Sequence, residues 1–384
     1  MSTYSLKMPP NVYAGAGSLS MLPTILEQNH AEHLVIFTDQ GIRSAGLLNL
    51  VLEVLPQRWQ SVPVLDDLPP EPTYAQAQKL VDQCRALGAD FIVAVGGGSV
   101  IDTAKLASLL MDGTVTVKDL LSDPAQGRKC CSMLAIPTTA GTGAEATPNA
   151  IVAVPEQELK VGIVNPAMVS DYVILEPAMI RRLPRKIAAA TGVDAMAHAI
   201  ECFTSSKATP LSDAFALRAF ELIMEHLIPA CDDSDATEAK SQMLIASFFA
   251  GVAITASGTT AVHALSYPLG GKYHIAHGVS NAMLLTPVMR FNQPAIADRL
   301  AIAYDRCFPD GAGISVPEKA DRLITRMEQI VAHLNIPTSL KEFHVPETDL
   351  EALVAAGMQV TRLLNNNMRK LEADDARAIY RQIL

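Results

Sequence analysis

The chain has 384 residues, which at about 150 residues per domain gives room for two or three domains and a sizeable core. Apolar residues make up 49% and charged residues 18%, with 22 Gly and 24 Pro, so a disordered, collagen-like or low-complexity chain is excluded. Lys and Arg number 30 against 40 Asp and Glu, and the resulting net charge of −10 argues against nucleic acid or an anionic membrane surface as a partner. The six cysteines (Cys84, Cys130, Cys131, Cys202, Cys231, Cys307) are scattered without a CxxC pair, which reads as reduced, mostly buried thiols in a cytoplasmic protein. Residues 1–10 lack a basic segment followed by an apolar run, so no signal peptide is expected.

In chain order, residues 34–37 form a predicted strand, followed by residues 62–65 before the Pro69-Pro70 turn. Helical spacing covers 73–87 and stops at Gly88; further strands are expected at 91–95 and 133–136. Strand, helix, strand in that order implies parallel pairing through right-handed crossovers, hence a doubly wound α/β unit. After Pro184 the pattern changes to Ala/Leu/Met-rich helices at 186–203, 211–228 and 238–254. The expected domains are therefore 1–183, a doubly wound α/β unit, and 184–384, an all-α unit, the first carrying two glycine-bearing loops and the second a histidine cluster. Residues 241–271 carry no Asp, Glu, Lys or Arg, and 243–262 is long enough to span a bilayer. Its hydroxyl residues and glycines, and the histidines that follow, make it a buried core helix instead.

Two loops carry cofactor chemistry. The run Gly96-Gly97-Gly98-Ser99 ends the strand at 91–95 and opens a helix, where free amides and the helix dipole suit a pyrophosphate. Its bland alternative is a capping box between Ser99 and Asp102. The segment Pro137-Thr138-Thr139-Ala140-Gly141-Thr142-Gly143-Ala144-Glu145 follows the strand at 133–136 and offers hydroxyls and amides for ribose and phosphate. Two such loops at the carboxyl ends of neighbouring strands place a nucleotide there. Asp39, at the end of the first predicted strand, would bond a ribose diol and repel a 2′-phosphate, favouring NAD over NADP; it could equally cap a helix.

Asp194 and His198 lie four apart in a helical pattern and so share a face. His263 and His277 follow in a second apolar segment, with His274 near the latter. Buried imidazoles and carboxylates without partners are costly, so these four groups point to an N₃O site for Fe²⁺ or Zn²⁺, which residue identity does not separate. Such an ion with room for a substrate oxygen acts as a Lewis acid, and beside a nicotinamide that means hydride transfer.

These motifs, together with Asn281-Ala282, strongly resemble those of the iron-containing (group III) alcohol dehydrogenase family, in order and over nearly the whole chain. The resemblance implies a dehydroquinate synthase-like architecture with the active site between an α/β and a helical domain, and a homodimer or higher homo-oligomer. It implies Asp194, His198, His263 and His277 as metal ligands. It also implies Asp39, Gly96, Gly97, Gly98, Ser99, Asp102, Thr138, Thr139, Thr142 and Lys160 around NAD, and Asn149 and Ile254 near substrate. Many members carry a proton-relaying histidine four residues after the third ligand; here that position is Tyr267, so His277 and Tyr267 stand as the catalytic candidates. The usual proline before the last ligand is Ala276, and a usual Asn-Pro-Arg reads Asn367-Met368-Arg369. Arg362, where many relatives are apolar, is a candidate contact for an anionic substrate group. The expected reaction interconverts a small primary alcohol and its aldehyde. The rivals are a polyol (glycerol-type) dehydrogenase, an NAD- and metal-using lyase of the dehydroquinate synthase type, and a catalytically silent scaffold.

Overall fold

The apolar runs of the first half become strands because their side chains fill both faces of one sheet. In the computed structural model, which describes residues 3–157, 159–309 and 311–384, the strands are β1 (Asn11–Ala14), β2 (Leu34–Phe37), β3 (Val64–Leu65), β4 (Phe91–Gly96), β5 (Ser132–Pro137), β6 (Asn149–Val154), β7 (Leu159–Val164) and β8 (Tyr172–Leu175). Six of them pair parallel in the order β1-β8-β5-β4-β2-β3, while β6 and β7 form a separate antiparallel hairpin. The helices of this half are α1 (Leu22–Gln28), α2 (Gln40–Ser44), α3 (Leu47–Val54), α4 (Tyr74–Ala86), α5 (Gly98–Leu110) and α6 (Val117–Ser122). Val35, Phe37, Ile92, Ala94, Met133 and Ala135 pack with Leu80, Ala104 and Leu120 in one layer. Leu34, Ile36, Phe91, Val93, Leu134 and Ile136 pack with Leu22, Ile25 and Val51 in the other. Alternate side chains of each strand thus feed opposite cores, the arrangement of a doubly wound parallel sheet.

The remaining elements are α7 (Arg185–Phe203), α8 (Pro210–Asp232), α9 (Thr237–Ser257), α10 (Ala261–Tyr273), α11 (His277–Cys307), α12 (Val316–His333), α13 (Leu350–Met358), α14 (Thr361–Leu364) and α15 (Ala373–Arg381). α7 packs against α8, α9 and α11 and is almost wholly buried from Gly192 to Phe203. α9 is long and apolar enough to cross a membrane, but most of that apolar window is buried by neighbouring helices. Two units result. One is Lys7–Thr139 with Gly143–Leu183; the other is Pro184–Leu384 with Ala140–Thr142 and the described residues up to Leu6. Residues 140–142 join the helical unit because Gly141 lies against α7, where a Cβ would come 2.8 Å from the Thr191 carbonyl oxygen.

Several expectations need adjustment. β1 and β8 escape sequence reading because β1 is a short, half-exposed edge strand without an apolar run and β8 lies between two short 3₁₀ turns rather than helices. The expected strand at 62–65 pairs only over Val64–Leu65. The cysteines are all free, with Cys130 exposed, and burial pushes the Cys84 and Cys131 thiols up to about 12.

A buried charge cluster ties the hairpin to α5. Lys105 Nζ, fully buried, lies 3.2 Å from Asp102 Oδ1, 3.1 Å from Thr147 Oγ1 and 2.8 Å from the Asn149 carbonyl oxygen. Glu145 is buried nearby, and desolvation, only partly offset by its own backbone amide and Lys105, raises its carboxyl to about 7. The folded chain therefore holds a proton, between about pH 4.5 and 7, that the unfolded chain releases, so this contribution to stability is full below pH 4.5 and is lost as pH rises through 7. Glu145→Gln is expected to remove about 3 kcal/mol of that pH dependence. Denaturant unfolding at the two ends of the window checks this; a variant with the wild-type pH slope contradicts it.

Candidate metal centre and dinucleotide site

Four ligating side chains converge in the helical unit. Asp194 and His198 project one turn apart from α7, His263 from the first turn of α10, and His277 from the first position of α11, and their ligand atoms all lie within 4.8 Å of one another. His263 Nε2 and His277 Nε2 each stand 3.6 Å from Asp194 Oδ1, and the His198 and His263 rings stack with centroids 4.4 Å apart. Three of the four are buried; His277 keeps 29% of its side chain exposed. His274 is exposed and ends α10 in a left-handed conformation, so it stays out of the cluster.

The electrostatics are those of a site built around positive charge. Burial alone would raise the Asp194 carboxyl, yet the three imidazoles hold it well below the usual carboxylate range. Burial pushes the His198 imidazole down; it would do the same to His263, but Glu201 and Asp194 raise that ring to about 9. Asn281, one turn after His277, lies against three of these ligands. Its Nδ2 lies 2.6 Å from Asp194 Oδ1, 3.1 Å from His263 Nε2 and 3.2 Å from His277 Nε2, while its buried Oδ1 has no partner. An amide nitrogen has two hydrogens for these three lone pairs. Lone pairs converging on one point, drawn from one carboxylate and three imidazoles, fit a divalent transition metal.

In the α/β unit, β4 runs through Gly96 and Gly97 into α5, whose first turn has no side-chain cap. Gly96 is required because a Cβ there would sit 2.6 Å from Val100 Cβ. The alternative reading of Ser99 and Asp102 as a capping box does not hold, since Gly97 occupies the cap position. Ser99 Oγ instead accepts the Glu71 amide at 3.1 Å, and Asp102 accepts the Ile151 amide at 3.0 Å beside its bond to Lys105. Thr138 is buried with an unpartnered Oγ1, which leaves a hydroxyl for a ligand at the end of β5. Thr139 borders Gly97, where a Cβ would lie 3.5 Å from its Oγ1. Asp39 caps α2, accepting the Ile42 amide through Oδ1 at 2.9 Å. Lys160 Nζ pairs with Glu71 Oε1 at 2.6 Å. These residues fit a dinucleotide by the free amides of an uncapped helix start and an orphaned hydroxyl. Thr142 groups with the helical unit.

The substrate candidates come from three elements. Asn149 opens β6, Ile254 is half-buried near the end of α9, and Arg362 is exposed on α14. The neighbour of Arg362, Leu363, is the residue that packs, joining Tyr267 and Ala264 in an apolar cluster flanked by Val360 and Leu364. The Tyr267 ring stands 6.2 Å from that of His277.

Residues 9–177 match the model of the iron-containing alcohol dehydrogenases, and residues 188–384 match that of the Fe-containing alcohol dehydrogenase family, C-terminal. The chain belongs to the iron-containing alcohol dehydrogenase family. It is an enzyme of alcohol oxidoreduction. It is similar to a long-chain-alcohol dehydrogenase of Geobacillus thermodenitrificans, 35% identical over 99% of this chain and 96% of the relative. An NAD-dependent methanol dehydrogenase of Bacillus methanolicus is 31% identical, covering 90% of this chain and 91% of its own. Among solved structures, an alcohol dehydrogenase from Oenococcus oeni superposes with a TM-score of 0.92 at 26% identity, with all of both chains covered.

Residues without a role in the sequence reading sit at the heart of this dehydrogenase. Asn281 was legible only as part of a motif. Glu201, fully buried on α7, bonds His263 Nδ1; its helical spacing from His198 was visible, its partner was not. Gly278 lets α11 approach α7, since a Cβ there would meet the Ala190 carbonyl oxygen at 2.2 Å. Asp194→Ala and His263→Ala are expected to lose bound divalent metal, measured by elemental analysis, while NADH binding by fluorescence stays near wild type; retained metal contradicts the ligand assignment. Gly278→Ala should cost about 1–3 kcal/mol in denaturant unfolding through overpacking and lower metal content by displacing His277; wild-type stability contradicts the close-approach argument.

Proposed function

We propose that this dehydrogenase interconverts a small primary alcohol and its aldehyde with NAD(H), using Fe²⁺ held by Asp194, His198, His263 and His277. The observation that carries the reading is the convergence of those four ligand atoms within 4.8 Å, three of the four residues being buried. A divalent ion bound there supplies Lewis acidity, and a nicotinamide takes up or gives the hydride. Iron is favoured over zinc by the family; the ligand chemistry itself accepts both.

The protein's own residues set the rest. Asp194 contributes the single negative charge among the ligands. Tyr267, Leu363 and Ala264 form an apolar wall beside His277 and keep water from that side, which suits a neutral substrate better than an anionic one. A phenol is a poor base at neutral pH, so Tyr267 orients and donates, and the partly exposed His277 ring marks the side on which protons exchange with solvent. NAD is favoured over NADP because Asp39 places a carboxylate at the end of β2, with Oδ2 outside the cap bond.

The test is NADH oxidation against a panel of neutral and anionic short aldehydes, with Fe²⁺ or Zn²⁺ restored to metal-free protein. The expected outcome is metal-dependent oxidation, faster with neutral aldehydes and with NADH over NADPH. Stoichiometric metal with no turnover across the panel would revive the silent scaffold, and product formation without net change in NADH would indicate a lyase.

A further inference from the structure

We propose that Glu201 is a positioning residue for the metal centre, fixing both the orientation and the tautomer of His263 and completing the charge balance of the buried site. The inference rests on the metal reading above and concerns a residue outside the ligand set.

Glu201 lies on α7, seven residues after Asp194 and three after His198, and is fully buried. Its two oxygens do different work. Oε1 accepts the Thr260 amide at 3.1 Å, the Thr260 hydroxyl at 2.6 Å and the Val262 amide at 2.8 Å, satisfying the otherwise uncapped start of α10. Oε2 bonds His263 Nδ1. A carboxylate there requires the proton on Nδ1, which turns the Nε2 lone pair toward Asp194 and the other ligands. His198 is held in the same sense by a weaker acceptor, the Gly141 carbonyl 3.3 Å from its Nδ1.

Charge makes the same point independently. Among the described residues Glu201 has no Lys or Arg in ion-pair range; its one such partner is His263. A fully buried carboxylate is costly unless compensated. A divalent cation on the Asp194 cluster leaves one positive charge after Asp194, and Glu201 neutralises it.

The experiment compares Glu201→Gln, Glu201→Asp and Thr260→Val with wild type in two measurements: Zn²⁺ affinity by chelator competition, and thermal unfolding of the metal-free protein. Gln keeps an oxygen for the Thr260 and Val262 amides but presents an NH₂ to His263 Nδ1, reversing the tautomer. Its Zn²⁺ affinity is expected to fall about 10–100-fold, with Glu201→Asp recovering part of the loss. Thr260→Val weakens only the tie to α10, so it should lower thermal stability while keeping wild-type affinity. Wild-type affinity in Glu201→Gln, or an affinity loss in Thr260→Val matching its own, would overturn the proposal and leave Glu201 a helix cap. A wild-type protein that takes up no Zn²⁺ would overturn the metal reading itself, an outcome distinct from any difference among the variants.

Discussion

The helical unit depends on one electrostatic constraint: a carboxylate and three imidazoles lie together in a largely apolar interior, with Asn281 and Glu201 as their polar neighbours. Asp194 sits on a helix buried on nearly every side, among Val193, Ala195, Met196 and Ala197. An isolated charge in such a place is costly, and imidazoles crowded beside it help only while one or more are protonated. A cation at their common focus satisfies every lone pair at once. The surrounding packing serves that end: Gly278 brings α11 against α7, Gly141 brings a loop carbonyl to His198, and Glu201 joins the start of α10 to α7.

The α/β unit solves a different problem with the same economy. Its sheet is buried on both faces, so polar groups concentrate at strand ends and in the loops that follow. There the backbone carries the ligand chemistry, through an uncapped helix start after Gly97 and the orphaned hydroxyl of Thr138. Lys105 and Asp102 lock the β6–β7 hairpin onto α5. Asp102 belongs to this internal strut with Lys105, which accounts for two charged residues buried in a helix whose other buried side chains are apolar or small.

How much of this was legible depended on whether an interaction was local in sequence. Asp194 and His198 announce themselves by a four-residue spacing in an apolar helix, and His263 and His277 by being histidines where only core residues belong. Strands β2, β4 and β5 are visible because continuous apolar runs end at turns. The β6–β7 hairpin carried a readable alternation, buried at Ala150, Val152 and Val154, that the neighbouring loop motif overshadowed. Glu201 was hidden because its partners, Thr260, Val262 and His263, lie some sixty residues away. Glu71 was hidden for a similar reason: a non-glycine residue in the left-handed region, held by Ser99 through its amide and by Lys160 through its carboxylate, reads in sequence only as one more residue in a proline-rich turn. Arg362 shows the converse, a conspicuous charge one position from Leu363, the residue that the fold uses.

The central claim is that Asp194, His198, His263 and His277 together bind one divalent ion. X-ray absorption spectroscopy of the metal-loaded protein tests this most directly. The expected spectrum shows a first shell of nitrogen and oxygen only, with the multiple-scattering signature of three imidazoles. A shell containing sulfur, or one of oxygens without imidazole scattering, would contradict it.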